Sequence, residues 1–139
     1  MTDIDRYHLY LEIVEFLHSC GGPYAVIDPE ECCNLIDCLY AGQYYIERDE
    51  AGKIVTFCDW WRFRTGELAT IKRGGKPRDI TIGECLFIVD HASASRDGVA
   101  KMRSAIRNST DLKGVAWFHK RKTPENFRYF PSQEGRKHG

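Results

Sequence analysis

The sequence has no long hydrophobic run and no excess of charge of either sign. Its apolar runs fall far short of the roughly 20 residues that a membrane-spanning helix needs. Twenty Lys and Arg balance twenty Asp and Glu, so no overall field would attract nucleic acid or an anionic membrane. The N-terminal segment is acidic, where an export signal would be basic and then apolar. We expect a cytoplasmic protein with no membrane partner, and the charge balance argues against a nucleic-acid partner.

The sequence also lacks the cysteine patterns that indicate disulfides or zinc. Disulfide frameworks belong to small secreted chains, and zinc sites need paired spacings such as C-x-x-C. Neither pattern describes the six cysteines, which are Cys20, Cys32, Cys33, Cys38, Cys58 and Cys85. We expect reduced thiols that are buried as small apolar side chains, and no metal site.

Length and hydrophobic content limit the number of domains. With 139 residues, 42% of them hydrophobic, the chain is long enough for one core and too short for two ordinary domains. No internal repeat and no low-complexity tract interrupts it. We expect one domain over residues 1–139, with a frayed tail over residues 131–139.

Two helices are predicted in the first third of the chain. The first spans residues 4–18 and ends at Gly21-Gly22-Pro23. Helical spacing predicts that its buried face consists of Ile4, Tyr7, Leu11, Val14 and Leu17.

The second helix is predicted over residues 29–41. Asp28 and Glu31 have the spacing of a capping box, Pro29 takes the first helical position, and Gly42 follows as the C-terminal cap. The spacing predicts a buried stripe made of Cys32, Leu35, Ile36, Leu39 and Tyr40.

The rest of the chain alternates strand and helix signals. Residues 43–46 and 53–63 predict a β-hairpin, and the glycine-containing basic segment 64–79 predicts a long mobile loop. The apolar run 80–90 predicts a central strand that is covered on both faces. A small-residue loop and a helix ending near Asn108 follow, then a strand over 113–119, parallel to the central strand, and a short strand over 127–130.

This order of elements resembles the GNAT superfamily of N-acetyltransferases over nearly the whole chain. The resemblance implies an α+β fold: a mixed β-sheet with two N-terminal helices, an antiparallel hairpin and a helix after the central strand. It also implies a pyrophosphate-binding motif, [Q/R]-x-x-G-x-[G/A], which the segment Ser95–Ala100 fits at Gly98 and Ala100. The residues that the resemblance assigns to coenzyme A are Val89, Ser95, Arg96, Gly98, Val99 and Ala100.

Three local stretches are similar to the toxin-activating lysine acyltransferases, which share this superfamily. They are Ala41-Gly42-Gln43-Tyr44, Phe57-Cys58-Asp59-Trp60 and Leu86-Phe87-Ile88-Val89-Asp90. The likeness implies a catalytic aspartate at Asp90, and that family's catalytic histidine corresponds to the region 19–24, which has no histidine here. The short chain also looks like small acetyltransferase-like proteins of phages and mobile elements.

The candidate general bases are Asp90, His91 and Glu84. Asp90 and His91 end the predicted central strand, where a carboxylate or imidazole can take the proton that an amine loses when it attacks a thioester. The alternative for Asp90 is a loop cap that binds the N–H of Ser93 or Ser95. Glu84 is a second candidate on the same strand, with a solvent-facing carboxylate as its alternative, and His119 at the end of the next strand either orients a substrate or lies at the surface.

Three functions of different classes follow. The first is an acyl-CoA-dependent N-acyltransferase that uses acetyl-CoA or another acyl-CoA and transfers the acyl group to an amine of a small molecule or a protein lysine. The second is a catalytically inactive GNAT-like protein-binding module. The third is a nucleic-acid-binding domain, for which Trp60, Trp61 and the basic run 72–78 would supply stacking and phosphate contacts. If one tryptophan is instead in the core, the basic segment flanks an anionic ligand or is solvated.

Overall fold

The computed structural model describes residues 1–107, 112–119 and 121–131. Four α-helices and five strands occur in these ranges. In chain order they are α1 (Asp3–Cys20), α2 (Pro29–Ala41), β1 (Tyr44–Arg48), β2 (Ile54–Phe63), α3 (Leu68–Lys72), β3 (Cys85–Ser93), α4 (Gly98–Arg107), β4 (Gly114–Phe118) and β5 (Phe127–Pro131). The predicted helix break at 108–111 lies outside the described residues. Of the tail predicted over residues 131–139, Pro131 instead ends strand β5, and residues 132–139 lie outside the described residues.

The five strands form one mixed sheet in the order β1-β2-β3-β4-β5. β1 pairs antiparallel with β2, β3 pairs parallel with β4, and β4 pairs antiparallel with β5. Two helices precede the β1–β2 hairpin, and α4 follows the central strand β3. These features confirm the predicted α+β fold, including the parallel pair of strands.

Helix α1 exists where the sequence predicts it, but the predicted buried face is wrong over the first half of the helix. Ile4, Tyr7 and Leu11 are 69%, 59% and 45% exposed, respectively. The buried residues are Ile13, Phe16 and Leu17. Helix α1 carries apolar side chains on both sides, so the spacing of one set did not identify the side that the core covers.

Helix α2 is stabilised at both ends as predicted. Asp28 Oδ1 accepts the Glu31 N–H at 2.8 Å, and Gly42 ends the helix with a positive φ of 70°. In the predicted stripe, Leu35 and Leu39 are buried, whereas Ile36 and Tyr40 are exposed. Cys38, which was not part of the predicted stripe, is also buried.

The described residues divide into two compact units, and the first consists of Met1–Asp59 together with the chain from Asp90 through α4. Within it, α1 and α2 cover one face of the hairpin. The buried cluster on that face is formed by Ile13, Phe16, Leu17, Tyr24, Leu35, Leu39, Ile54 and Phe57.

The second unit consists of Trp60–Val89 together with β4 and β5. Trp61 is 7% exposed and packs on Phe87, with ring centroids 5.5 Å apart, which confirms that one tryptophan is in the core. Phe118 and Phe127 continue this row of aromatic contacts.

The prediction of a long loop over residues 64–79 is wrong in part. A 3₁₀ turn spans Thr65–Glu67, and α3 follows it with Ile71 fully buried. The Glu67 carboxylate accepts the N–H groups of Arg64 and Arg78 at 3.0 and 2.8 Å and so joins the two ends of the segment. Since one buried isoleucine and one capping carboxylate give little pattern in a basic sequence, the short helix was missed.

The central strand begins later and ends later than predicted. It starts at Cys85 and continues through His91 to Ser93, so His91 belongs to the strand and Glu84 does not. The predicted strand residues before Cys85 include Gly83, whose φ of 142° is incompatible with a strand conformation for an ordinary residue.

Removing the α2 cap tests how much the helix depends on it. We expect Asp28→Ala to lower the free energy of unfolding by about 1 kcal/mol, because the first-turn amide of Glu31 loses its acceptor. Asp28→Asn keeps an acceptor oxygen and is the matched control. Urea unfolding followed by circular dichroism measures both variants, and equal losses in the two would contradict a role for the hydrogen bond.

Candidate active site around Asp90

Asp90 lies near the end of β3 and is 6% exposed. Its backbone N–H donates to Asp59 Oδ1 at 2.9 Å, so a side chain takes the place of a strand carbonyl at this position. The loop cap considered for Asp90 involves Ser93 instead, since the Ser95 N–H donates to Ser93 Oγ at 3.1 Å. Asp90 is therefore held by its own backbone within the sheet.

Tyr24 is the second side chain that holds this part of β3. Its hydroxyl accepts the His91 N–H at 3.1 Å and lies 3.4 Å from both Asp90 Oδ1 and the His91 carbonyl oxygen, to either of which it can donate. Burial, followed by the charge of Asp90, raises the pKa of Tyr24, so the hydroxyl keeps its proton. Tyr24 acts here as a hydrogen-bonding group and not as a base.

The sequence pointed to the region of Tyr24 but not to the residue. Gly21 and Gly22 have positive φ values of 65° and 57°, and they turn the chain after α1 toward β3. Tyr24 thus comes from the segment that connects α1 and α2. The helix-ending motif Gly21-Gly22-Pro23 was the only sequence signal in this region. It predicted a turn but not that the turn brings Tyr24 to β3.

Asp59 is the other residue that sequence reasoning missed. It is 0% exposed on β2, and its Oδ2 makes no hydrogen bond of normal geometry within the described residues. Burial raises the pKa of Asp59 because the site lacks water to stabilise a charge. The negative charge of Asp90 raises it further by repulsion. The available signal was a charged residue in the otherwise apolar run Phe57-Cys58-Asp59-Trp60.

The side chain of His91 keeps exposed surface beside this buried pair. Partial loss of surrounding water lowers the pKa of His91, and the charge of Asp90 opposes that effect. The imidazole is consequently neutral at pH 7 and can accept a proton from a ligand at the surface.

The structure places the other two polar candidates elsewhere. Glu84 precedes β3, and its carboxylate accepts the N–H and hydroxyl of Thr65 at 3.3 and 3.2 Å. Backbone amide donors, including its own, lower the pKa of Glu84, which makes it a weaker base. His119 lies just after β4 and is exposed, with its N–H on the Asn126 carbonyl at 2.8 Å.

The predicted phosphate-binding segment forms the start of α4. Arg96, Val99 and Ala100 are exposed there, and Ser95 is half-buried. The amide of Lys101 bonds to the Asp97 carbonyl at 2.9 Å, so Asp97 is the residue that precedes the first turn. As in any α-helix, the first-turn amides of Val99 and Ala100 have no acceptor within the helix, so they can bind an anion at its N-terminal end.

Gly98 is buried for a packing reason. A Cβ atom built on Gly98 would lie 1.9 Å from Ser93 Oγ and 2.2 Å from Thr56 Oγ1. These two hydroxyls are 2.8 Å apart, and Thr56 Oγ1 also donates to Glu47 at 2.9 Å. Lys101 of α4 pairs with the same glutamate. This group of side chains fixes the start of α4 against β1 and β2, and a bulky residue at 98 would displace it.

The described residues offer no other ligand set of an obvious kind. They contain no group of three His, Cys, Asp or Glu side chains close enough to hold a metal ion. No helix within them is both long and apolar enough to cross a bilayer. All six cysteines are described, and none forms a disulfide. Cys38, Cys58 and Cys85 are buried as predicted, but the prediction is wrong for Cys20 and Cys33, which are exposed, and for Cys32, which is half-buried.

We expect Gly98→Ala to destabilise the protein by more than about 2 kcal/mol, because the methyl group would overlap two hydroxyl oxygens that are themselves held by hydrogen bonds. Val99→Ala on the exposed neighbouring position is the control and should change stability by less than about 0.5 kcal/mol. Thermal unfolding compares the two. A Gly98→Ala protein as stable as the control would mean that the start of α4 is not packed in this way.

Comparison with known proteins bears on the fold. No protein-family model matches the sequence, and no curated protein is similar to it. A solved structure, the GphF GNAT-like decarboxylase in complex with isobutyryl-CoA, matches with a TM-score of 0.51 and 16% sequence identity. The match covers 78% of this chain and 60% of that chain, so this chain spans less than two thirds of the neighbour's length.

At that level of identity the match is evidence for the fold alone. It lends no support to the resemblance to toxin-activating acyltransferases or to a phage origin. Together with the mixed sheet, the hairpin and the helix after the central strand, it shows that the chain has a GNAT-like α+β fold.

Proposed function

We propose that the protein is an acyl-CoA-dependent N-acyltransferase, with acetyl-CoA or another acyl-CoA as acyl donor and an amine as acceptor. The observation that carries this proposal is that one compact unit holds both the first turn of α4 and the segment Asp90–His91. The first is suited to a phosphate group, and the second supplies a neutral imidazole beside a buried carboxyl pair. The isobutyryl-CoA in complex with the structural neighbour adds support.

In this proposal the pyrophosphate of coenzyme A lies at the start of α4. The amides of Val99 and Ala100 point out of the helix end, and the helix dipole favours an anion there. The exposed guanidinium of Arg96 is next to this turn in sequence and can pair with a phosphate. The role assigned to the Val89 backbone, hydrogen bonding to the pantetheine arm, stays a prediction.

The chemical step moves the acyl group from sulfur to nitrogen, with one proton lost by the amine and one gained by the thiolate. The amine nitrogen attacks the thioester carbonyl carbon, the C–N bond forms, the C–S bond breaks, and the coenzyme A thiolate leaves. The amine loses one proton, for which Asp90 and His91 are the candidate acceptors, and the thiolate takes up one proton. Asp90 is the more enclosed of the two and His91 the more exposed.

The charge at this site favours an amine over a carboxylate substrate. The structural neighbour is a decarboxylase, and a decarboxylase must bind a carboxylate that it will remove. Here the site already holds two neighbouring carboxyl groups, since the Asp90 N–H donates to Asp59 Oδ1 and both residues are buried. A second anion would be repelled, whereas an ammonium group would be attracted. Amine acylation is therefore preferred to decarboxylation.

Two alternative functions are an inactive GNAT-like protein-binding module and a nucleic-acid-binding domain. An inactive GNAT-like protein-binding module would keep the fold without binding a thioester. The burial of Trp61 removes one of the two rings on which nucleic-acid bases would stack. A lysine acceptor as in the toxin-activating family, a phage origin and a cytoplasmic location are finer proposals that rest on the resemblances described above.

Calorimetric titration separates these functions. We expect acetyl-CoA and free coenzyme A to bind, and a panel of amines including a lysine peptide to yield an acyl product by mass spectrometry. Binding without product from any amine would support a silent module, and release of carbon dioxide from a carboxyacyl-CoA would support a decarboxylase. No binding of any coenzyme A species would end the proposal.

A negative charge in the first turn of α4 tests the phosphate site. We expect Ala100→Glu to weaken coenzyme A binding by about 10- to 100-fold at low salt, because the carboxylate would lie near the phosphates. The same charge stabilises a helix N-terminus, so the protein should stay folded. Ala100→Gln has nearly the same size and should bind normally.

The salt dependence supplies the internal check. The difference between the Glu and Gln variants should shrink as salt is added, since screening weakens the repulsion. Equal affinities at low salt would place the pyrophosphate elsewhere.

Replacing the candidate base tests the chemistry. We expect Asp90→Asn to lower turnover by roughly 10²–10⁴-fold with little change in coenzyme A affinity, because size and most hydrogen bonds are kept while the charge is lost. Glu84→Gln and His91→Gln test the other two candidates. The general base is the residue whose substitution causes this large loss of turnover. Full turnover of the Asp90→Asn variant would exclude Asp90.

A further inference from the structure

Two consecutive amides of β3 are held by side chains. The Asp90 N–H donates to Asp59 Oδ1 and the His91 N–H donates to Tyr24 Oη, at 2.9 and 3.1 Å. Successive N–H groups of a strand point to opposite edges, so this short segment is held from both sides. The segment contains two of the three candidate bases, Asp90 and His91.

Asp59 is the less replaceable of the two anchors. It has no exposed surface, its Oδ1 is committed to the Asp90 amide, and its Oδ2 makes no hydrogen bond of normal geometry within the part of the chain that the structure describes. A fully buried carboxyl costs stability unless it is paired or neutral. Such a group in the middle of an apolar strand calls for an explanation beyond packing.

We propose that Asp59 is a positioning residue of the proposed acyltransferase: its buried carboxyl group accepts the Asp90 N–H through Oδ1 and thereby fixes the direction of the Asp90 carboxylate. This inference rests on the proposed function, because positioning matters only if Asp90 takes part in the chemistry. Asp59 itself is buried away from any ligand, so it acts through Asp90.

The surroundings of Asp59 are consistent with one proton shared by a carboxyl pair. The polar or titratable groups near it come from four elements besides its own: Asp90 and His91 on β3, Tyr24 after α1, Cys38 on α2, and Tyr44 on β1, with Cys58 adjacent on β2. None of them carries a positive charge at neutral pH. With no cation among these groups, a proton is the means by which the two carboxyls can remain together.

The pH dependence of stability tests the protonation. The ordinary pKa of an aspartate is 3.8, and in the folded protein the pKa of Asp59 is raised above it. Above that pH the unfolded chain releases the Asp59 proton while the folded protein keeps it, so stability falls as pH rises. We expect Asp59→Asn, which has the shape of the neutral acid, to melt at a higher temperature than wild type at pH 8 and at nearly the same temperature at pH 3.

The positioning role has its own readouts. We expect Asp59→Ala to raise the exchange rate of the Asp90 amide proton by at least 10-fold and to lower kcat by about 10- to 100-fold, with an unchanged KM for acyl-CoA. Asp59→Asn keeps the acceptor oxygen and should restore both amide protection and kcat. Cys58→Ala is the matched control, since it is buried in the same strand on the opposite face.

The outcomes separate this proposal from the proposed function. If wild type binds no coenzyme A, the function fails, while the melting and exchange measurements still test the Asp59 contact. A melting difference between the Asp59→Asn variant and wild type that is constant from pH 3 to pH 8 would overturn the protonated pair. An Asp90 amide that is unprotected in wild type, or a kcat that Asp59→Asn does not restore, would overturn positioning, even if the alanine variant does not fold.

Discussion

The hydrogen bond between the Asp90 amide and the buried Asp59 carboxyl is the interaction on which the site depends. This bond joins β2 and β3 through the Asp59 carboxyl group, although burying a carboxyl group costs free energy relative to leaving it in water. The helices α1 and α2 make this possible, because their apolar side chains bury the same face of the hairpin. Each such side chain contributes roughly 1.5–3 kcal/mol when fully buried, which offsets the cost of one neutral carboxyl. The apolar layer and the polar pair are thus parts of one arrangement.

Strand β2 supports the proposed site from both of its faces. Phe57 belongs to the cluster that α1 and α2 cover, and Asp59 lies on the same face of β2, near Cys38 of α2. Thr56 is on the other face and contacts Ser93 and Glu47. This division follows from the alternation of side chains along a strand. One face places the Asp90 carboxyl, and the other places the first turn of α4 by leaving room only for glycine at residue 98. The proposed chemistry and the proposed phosphate site therefore share a scaffold.

Local sequence patterns predicted most helices and strands, but they did not always predict which side of a helix is buried. The cap at Asp28 and the glycine at 42 act over a few residues, so they marked α2 correctly. Helix α1 has apolar residues all around, and its spacing was equally compatible with burying Ile4 or Ile13; the structure buries Ile13. The short α3 was missed because its stability comes from Ile71 and from a carboxylate bridging residues far apart in its segment.

By itself, the sequence determined the order of the strands and of every helix except α3, the position of Asp90 near the end of the central strand, and the segment that begins α4. These depend on periodicity, caps and turn residues within a few positions of one another. Only the tertiary structure decided that Asp59 and Tyr24 meet Asp90 and its neighbour, across separations of 31 and 66 residues. Such contacts follow from how strands pair and helices cover the sheet, and a single sequence carries no local signal for them.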